Sequence, residues 1–267
     1  MYQFDHIVHF VEYPEQAKQH FQQQGIHAVM GGQHEAWGTY NALSYFDLSY
    51  IEFIGIFDEE LFLQAAKQTY TLQHSYEKNS RQNGFTRFAL RTTEIAKDAE
   101  KFKEAGFEVI GPTKCFRTRE DGSQITWQLL HIGLMDTKVD FPFFIQWDES
   151  DDNRREDFKK RGIIAPHKLG NLAIEEIHYN LPSLQAVEQL AKLCEATVEM
   201  KIDKVANCDV AEVQLPNVKL VFSRPLGDGP AWEEMLEHGY GIQKIVLSGS
   251  IEQLDIISEG AIYEFRA

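Results

Sequence analysis

The stretch FTRFALR, Phe85–Arg91, and the segment EIAKDAEKFKEAG that follows it, Glu94–Gly106, decide the fold. The first run has the β-branched and aromatic residues of a strand, and the second has the composition of a helix that ends at a glycine. The chain opens with the same order, because FDHIVHFV, Phe4–Val11, precedes EQAKQHFQQQG, Glu15–Gly25. Superposing the two glycines also superposes a phenylalanine in each helix. The sequence therefore contains an internal repeat.

Three strand-like runs complete each repeat. In the first they lie near Ile26–Met30, Thr39–Phe46 and Tyr50–Phe57, and in the second the last two lie near Gln124–Ile132 and Phe141–Trp147. Both units thus have the order β-α-β-β-β. We predict an α+β fold in which repeated β-α-β-β-β modules form curved mixed sheets with the helices outside.

A third β-α-β-β-β unit begins near Ile174. The tail has a strand at 241–248, a short helical piece at 251–258 and a last strand at 262–266, which together read as a degenerate fourth unit. The segment Arg161–Asn171 contains glycines and a proline without periodicity, so it is the predicted boundary. We predict paired modules over residues 1–160 and the third and fourth modules over 165–267. The charged run before the boundary, 148–161, is predicted to be a solvated helix or connector.

Composition limits the class of protein. Twenty-six basic residues against 41 acidic ones give a formal charge of −15, which disfavours binding to nucleic acid or to an anionic membrane surface. The 3 cysteines are widely spaced, so they predict neither a disulfide framework nor a zinc site. The amino terminus reads as a strand and not as a signal peptide. We expect a cytoplasmic protein.

One motif points to a family. The module opened by DHIVHFV and closed by YIEFIGI, Tyr50–Ile56, resembles the vicinal oxygen chelate superfamily, which includes glyoxalase I, extradiol dioxygenases and bleomycin-resistance proteins. The segment GGQHEAWGTYNAL, Gly31–Leu43, is similar to the signature of its glyoxalase-like domain proteins. The resemblance implies that two modules curl into a half-open barrel. It leaves open whether modules pair within one chain or between two chains of a homodimer.

The resemblance also implies a divalent metal such as Mn, Ni, Fe or Zn on the concave face. Each module would offer one ligand from its first strand and one from its last, which here are His6 and Glu52. The second module departs from this ligand pattern, because Arg87 and Gln146 align with His6 and Glu52, and an arginine cannot bind a cation. His34 is a further candidate ligand. Glu52 would be the ligand or the catalytic base.

Glu52 also stands out without the resemblance. A lone carboxylate among apolar neighbours is costly to bury, so it must be paired, protonated, metal-bound or facing a wet cavity. Alternation puts Trp37, Thr39 and Asn41 on one side of their segment, where they would form one wall of that cavity. Trp127 would stand on a second wall or in the core.

Arg87 has three interpretations, one of which is an ordinary surface arginine. It could pair with Glu52 in the absence of a metal, or it could hold a carboxylate of the substrate. The predicted function is a glyoxalase-like enzyme acting on a small oxygenated metabolite, as a lyase, isomerase or dioxygenase. The alternative is a metal-free protein that binds or sequesters a small molecule. Under both, the expected partner is a small-molecule ligand, with neither nucleic acid nor membrane.

Overall fold

A computed structural model describes residues 2–119, 121–135 and 140–267. This part of the chain contains fifteen strands and seven α-helices, and the strands form two mixed sheets. The prediction of an α+β fold built from β-α-β-β-β modules is confirmed.

The first sheet has eight strands and joins the first two modules. Its elements are β1 (Gln3–Phe10), α1 (Pro14–Gln23), β2 (Val29–His34), β3 (Thr39–Phe46), β4 (Ser49–Ile56), β5 (Gly84–Arg91), α4 (Ile95–Glu104), β6 (Glu108–Thr118), β7 (Gln124–Gly133) and β8 (Phe143–Trp147). The strand order is β2-β3-β4-β1-β5-β8-β7-β6, so the two modules meet where β1 pairs antiparallel with β5. Each opening strand pairs parallel with the closing strand of its own module.

The second sheet has seven strands and repeats this plan. Its elements are β9 (Gly170–Asn180), α6 (Gln185–Leu193), β10 (Val198–Asp203), β11 (Cys208–Leu215), β12 (Val218–Pro225), α7 (Pro230–His238), β13 (Gly241–Ser250), β14 (Leu254–Ser258) and β15 (Ala261–Phe265). The order is β10-β11-β12-β9-β13-β15-β14. The expected helical piece at 251–258 is wrong: Leu254–Ser258 pairs antiparallel with β15, and no helix follows β13.

Three further helices connect the modules. They are α2 (Glu59–Ala65) and α3 (Leu72–Lys78) between the first two modules, and α5 (Asp151–Lys160) after the second. The charged run is therefore a helix, but its expected solvation holds for one side only. Arg154 and Phe158 are 1% and 2% exposed, since the other side packs on the first sheet.

The two sheets share one core. Phe4 and Phe88 of the first sheet belong to the same buried cluster as Ile177, Ile245 and Tyr263 of the second, together with residues of α1, α4 and α6. A second cluster lies on the opposite face of the first sheet, under α2, α3 and α5. The division of the chain at residues 160–165 stays a prediction. In the described part of the chain, no helix is long and apolar enough to cross a membrane.

Candidate functional site

The concave face of the first sheet forms a deep cavity. Part of this space is open to solvent. Seven of the nine predicted site residues line it: His6, His34, Trp37, Thr39, Asn41, Glu52 and Trp127. The other walls are mostly aromatic or aliphatic and include Tyr45, Tyr50, Phe143, Trp147 and Phe158.

Glu52 lies inside this cavity and is 7% exposed. Its Oε1 accepts a hydrogen bond of 2.6 Å from Nδ2 of Asn41, on the neighbouring strand β3. The Nε2 atoms of His6 and His34 lie 3.5 Å and 3.9 Å from its two carboxylate oxygens. The carboxylate is thus held by one amide and faced by two imidazoles, and these polar neighbours offset the free energy cost of burying it.

His6 is oriented by its neighbour in sequence. Its Nδ1 lies 2.8 Å from Oδ1 of the fully buried Asp5, and its ring stacks on Tyr50. Burial alone raises the pKa of the Asp5 carboxyl. The hydrogen bond to His6 and the charges of His6, Arg154 and Arg91 outweigh this effect, so its pKa lies below its usual value. An ionised Asp5 accepts a hydrogen bond from the Nδ1–H group of His6. The other ring nitrogen, Nε2, faces Glu52.

Asp5 is a residue that sequence reasoning missed. Strict alternation places it on the face opposite His6, but β1 has a bulge between Phe4 and His6 where it pairs with β5. The bulge brings both side chains to the side of the cavity, since an extra residue shifts the alternation. Nothing in the sequence marks this bulge.

Two glycines of the signature make room for the site. A Cβ on Gly31 would lie 1.9 Å from Oδ1 of Asn41 and 3.0 Å from Nη1 of Arg117. A Cβ on Gly32 would lie 2.7 Å from Cδ of Arg117. Because only glycine permits such close approach, the pair lets Asn41 reach Glu52 and lets Arg117 lie across β2.

The other histidines of the cavity are neutral. Burial lowers the pKa of His34, against the smaller raising effect of Glu52, and its Nδ1 lies 3.1 Å from the hydroxyl of Thr39. Burial and then the charge of Arg87 lower the pKa of His131 to about 3.

Arg87 and Gln146 lie outside the cavity lining. The guanidinium of Arg87 donates to the backbone oxygens of Phe141, at 2.7 Å, and Tyr70, and it faces the ring of Phe143. Oε1 of Gln146 accepts from the backbone N–H of Ile95 at the start of α4, on the other face of β8. The predicted pairing of Arg87 with Glu52 is therefore wrong. The alignment of Gln146 with Glu52 is out of register, because strand pairing places Phe143 at the position equivalent to Glu52.

The donors present do not complete a metal site. His6 and Glu52 have the residue types and the orientation of two ligands, and the Asp5 hydrogen bond to His6 is typical of a ligating histidine. The second module supplies no third ligand from its first or last strand. Among the described residues, no three His, Cys, Asp or Glu side chains are arranged to hold an ion.

A scan against protein families matched the glyoxalase-like domain over residues 4–194. The chain belongs to the glyoxalase-like domain family. The predicted membership of the vicinal oxygen chelate superfamily is thereby confirmed. A search of curated proteins found no match.

Solved structures share the fold of this glyoxalase-like protein. A hypothetical protein from Staphylococcus aureus is 23% identical, with a TM-score of 0.83 and coverage of 100% of both chains. A mutant of 4-hydroxymandelate synthase from Streptomyces coelicolor is 9% identical, with a TM-score of 0.58, and the match covers 99% of this chain and 92% of that one. At these identities the likeness shows the fold alone.

Proposed function

We propose that this glyoxalase-like protein is an enzyme that moves a proton on a small oxygenated metabolite, as an isomerase or lyase. The proposal rests on one observation: a carboxylate held by Asn41 faces Nε2 of His6 at 3.5 Å inside an aromatic cavity, and Asp5 fixes the other ring nitrogen. A positioned carboxylate and imidazole are the groups that general acid–base catalysis requires.

The protonation of the two ring nitrogens of His6 determines which reaction His6 and Glu52 can catalyse together. Nδ1 of His6 donates to Asp5, and a proton on Nε2 would leave the Glu52 carboxylate, 3.5 Å away, ionised and able to act as a base. Glu52 removes a proton from a carbon next to a carbonyl, and the C–H electron pair moves onto the carbonyl oxygen. The proton on Nε2 of His6 stabilises that oxygen by a hydrogen bond. In a 2-hydroxy carbonyl compound, return of the proton from Glu52 to the neighbouring carbon, with the hydroxyl proton passing to the other oxygen through Nε2 of His6, gives an isomer.

The walls of the cavity fit an apolar substrate body. Trp37, Trp127, Trp147 and Phe143 surround the pair, and such walls exclude water and strengthen electrostatic interactions inside. A dioxygenase reaction, also expected from the sequence, would use a redox metal for which the described residues offer an incomplete ligand set.

Solvent exchange tests the proposal. A panel of small 2-oxo and 2-hydroxy carbonyl compounds is incubated with the protein in D₂O, and loss of the C–H signal is followed by proton NMR. We expect exchange in at least one compound, slowed on the order of 10²- to 10⁴-fold by Glu52→Gln. Glu60→Gln, an exposed change of the same kind on α2, is the control and should exchange at the wild-type rate. Unchanged exchange in Glu52→Gln would sink the proposal.

The second candidate is a metal-free binding or sequestering protein. The aromatic lining favours it, because stacked rings hold a ligand without any chemistry. Saturable binding of a compound together with no exchange in any compound would select this function over the enzyme.

A further inference from the structure

The entrance of the cavity contains Arg117, which has no ion-pair partner among the described residues. His34, Trp37, Arg117 and Trp127 line both the deep cavity and a second, outer cleft, so they lie where the two spaces meet. Arg117 stands on β6, in the second module, and is half-buried. Its guanidinium reaches the first module across the backbone of Gly31 and Gly32.

Arg117 lies beside the proposed catalytic groups. Its Nη1 and the side-chain oxygen of Asn41 both occupy the space above Gly31, at 3.0 Å and 1.9 Å from the position a Cβ would take. Asn41 in turn donates to Glu52. A ligand that contacts Glu52 is therefore within reach of the guanidinium.

Arg117 differs from the other arginines in the partners that the structure describes for it. Within the described part of the chain, it makes neither a hydrogen bond nor an ion pair within 4 Å. Two other arginines near the cavity have partners: Arg154 lies 3.5 Å from Asp151 and 4.0 Å from Asp5, and Arg87 donates to two backbone oxygens. The outer cleft also contains the exposed Lys114 and Glu35, which carry opposite charges.

We propose that Arg117 binds the carboxylate of an aromatic carboxylic acid whose ring lies in the cavity between the tryptophans. The guanidinium matches a carboxylate with two parallel hydrogen bonds. The aromatic walls take the ring, and the oxygenated carbon between ring and carboxylate faces Glu52 and His6. This inference deepens the proposed function by naming its substrate class.

Matched acid and amide pairs test this specificity. The probes are benzoate and benzamide, phenylacetate and phenylacetamide, and 3-phenyllactate and 3-phenyllactamide, and dissociation constants are measured by ligand-observed NMR. In the wild type we expect at least one acid to bind about 10- to 100-fold more tightly than its amide, because a hydrogen bond between charged groups contributes affinity of that size. Arg117→Gln should bring that ratio to about one, and Arg117→Lys should keep part of it.

Two controls separate this inference from the proposed function. Arg224→Gln makes the same change in the second sheet and should keep the wild-type ratio. Glu52→Gln should slow proton exchange and also keep the preference for the acid. Equal binding of acid and amide, no saturable binding of any acid, or a preference that survives in Arg117→Gln would each overturn the assignment.

Discussion

Two neighbouring residues on β1, Asp5 and His6, decide which chemistry the cavity offers. Asp5 is fully buried and also accepts from Nε1 of Trp147 at 3.0 Å, so it fixes the first strand to the last strand of the second module. His6 then presents Nε2 to Glu52. The residue types at His6 and Glu52 are visible in the sequence. The partner Asp5 is not, because its side depends on the bulge.

Asp5→Asn should harm both catalysis and stability. The amide removes the charge that holds the His6 tautomer and opposes Arg154, so we expect exchange to slow on the order of 10²- to 10⁴-fold. Loss of one partner of a buried charge cluster should lower the free energy of unfolding by about 3 kcal/mol. Urea denaturation and the NMR exchange assay measure the two effects. Asp152→Asn, at an exposed site on α5, should change neither; wild-type exchange in Asp5→Asn would refute the role of Asp5.

Gly31→Ala should displace the amide that holds Glu52. The new Cβ would overlap Oδ1 of Asn41, and such overpacking costs about 1–3 kcal/mol. We expect a lower melting temperature and slower exchange. Gly32→Ala is the matched variant, because its Cβ meets only the flexible side chain of Arg117. It should keep exchange and reduce the preference for carboxylates. Equal behaviour of the two variants would contradict this division of roles.

At the scale of elements, helix α5 shows where charge patterning misleads. Its sequence is almost entirely polar, yet Phe158 lies against the ring of Tyr45 and Arg154 stacks 4.1 Å over Trp147. These two large side chains pack the helix on the first sheet, and Asp157 and Arg155 add ion pairs to Arg119 and Asp47. A run of charges therefore predicts the helix but not its buried side. The helices α2 and α3 were not predicted, although Leu72 and Gln73 of α3 line the cavity.

Phe158→Ala should release α5 and open the cavity. Removing a fully buried phenylalanine costs about 3–5 kcal/mol in the free energy of unfolding. Lys159→Ala, the next residue and exposed, should stay within about 0.5 kcal/mol of the wild type. Chemical denaturation of both variants checks this; equal stabilities would show that α5 does not close the cavity wall.

At the scale of the whole molecule, the two sheets are joined by buried polar contacts as well as by the shared core. Nδ1 of the fully buried His9 lies 2.5 Å from the hydroxyl of Tyr263, and Asn217 bonds to both backbone groups of Phe4. The repeat in the sequence predicts the modules within each sheet. It does not predict how the two sheets pack on each other, because that depends on which apolar face of each sheet remains uncovered after its modules have paired.

His9 should make the molecule sensitive to acid. Burial lowers its pKa from 6.5 to about 4, against a weaker raising effect of the Glu259 carbonyl. Between these values the unfolded chain binds a proton that the folded protein does not, so stability falls as the pH drops from about 7 to 4. His9→Gln should remove about 2 kcal/mol of this loss between pH 7.5 and pH 5. Denaturation at both pH values measures it; an identical pH dependence in the variant would contradict the assignment.

The predicted division at residues 160–165 can be tested by truncation. Residues 1–168 alone would expose Phe4 and Phe88, which now lie in the core shared with the second sheet. We therefore expect this fragment to lack a cooperative thermal transition or to aggregate, as judged by circular dichroism and light scattering. A monomeric fragment with the melting temperature of the full chain would show that residues 1–160 form an independent domain.

The acid–base function requires that Asp5 fixes Nδ1 of His6 so that Nε2 faces Glu52, and nitrogen NMR of ¹⁵N-histidine-labelled protein reports on both ring nitrogens. We expect His6 to keep a proton on Nδ1, bonded to Asp5, and we expect Glu52→Gln to shift the Nε2 resonance of this histidine. His6→Gln identifies the signal. A His6 protonated on Nε2 alone, or a spectrum that Glu52→Gln leaves unchanged, would contradict the account.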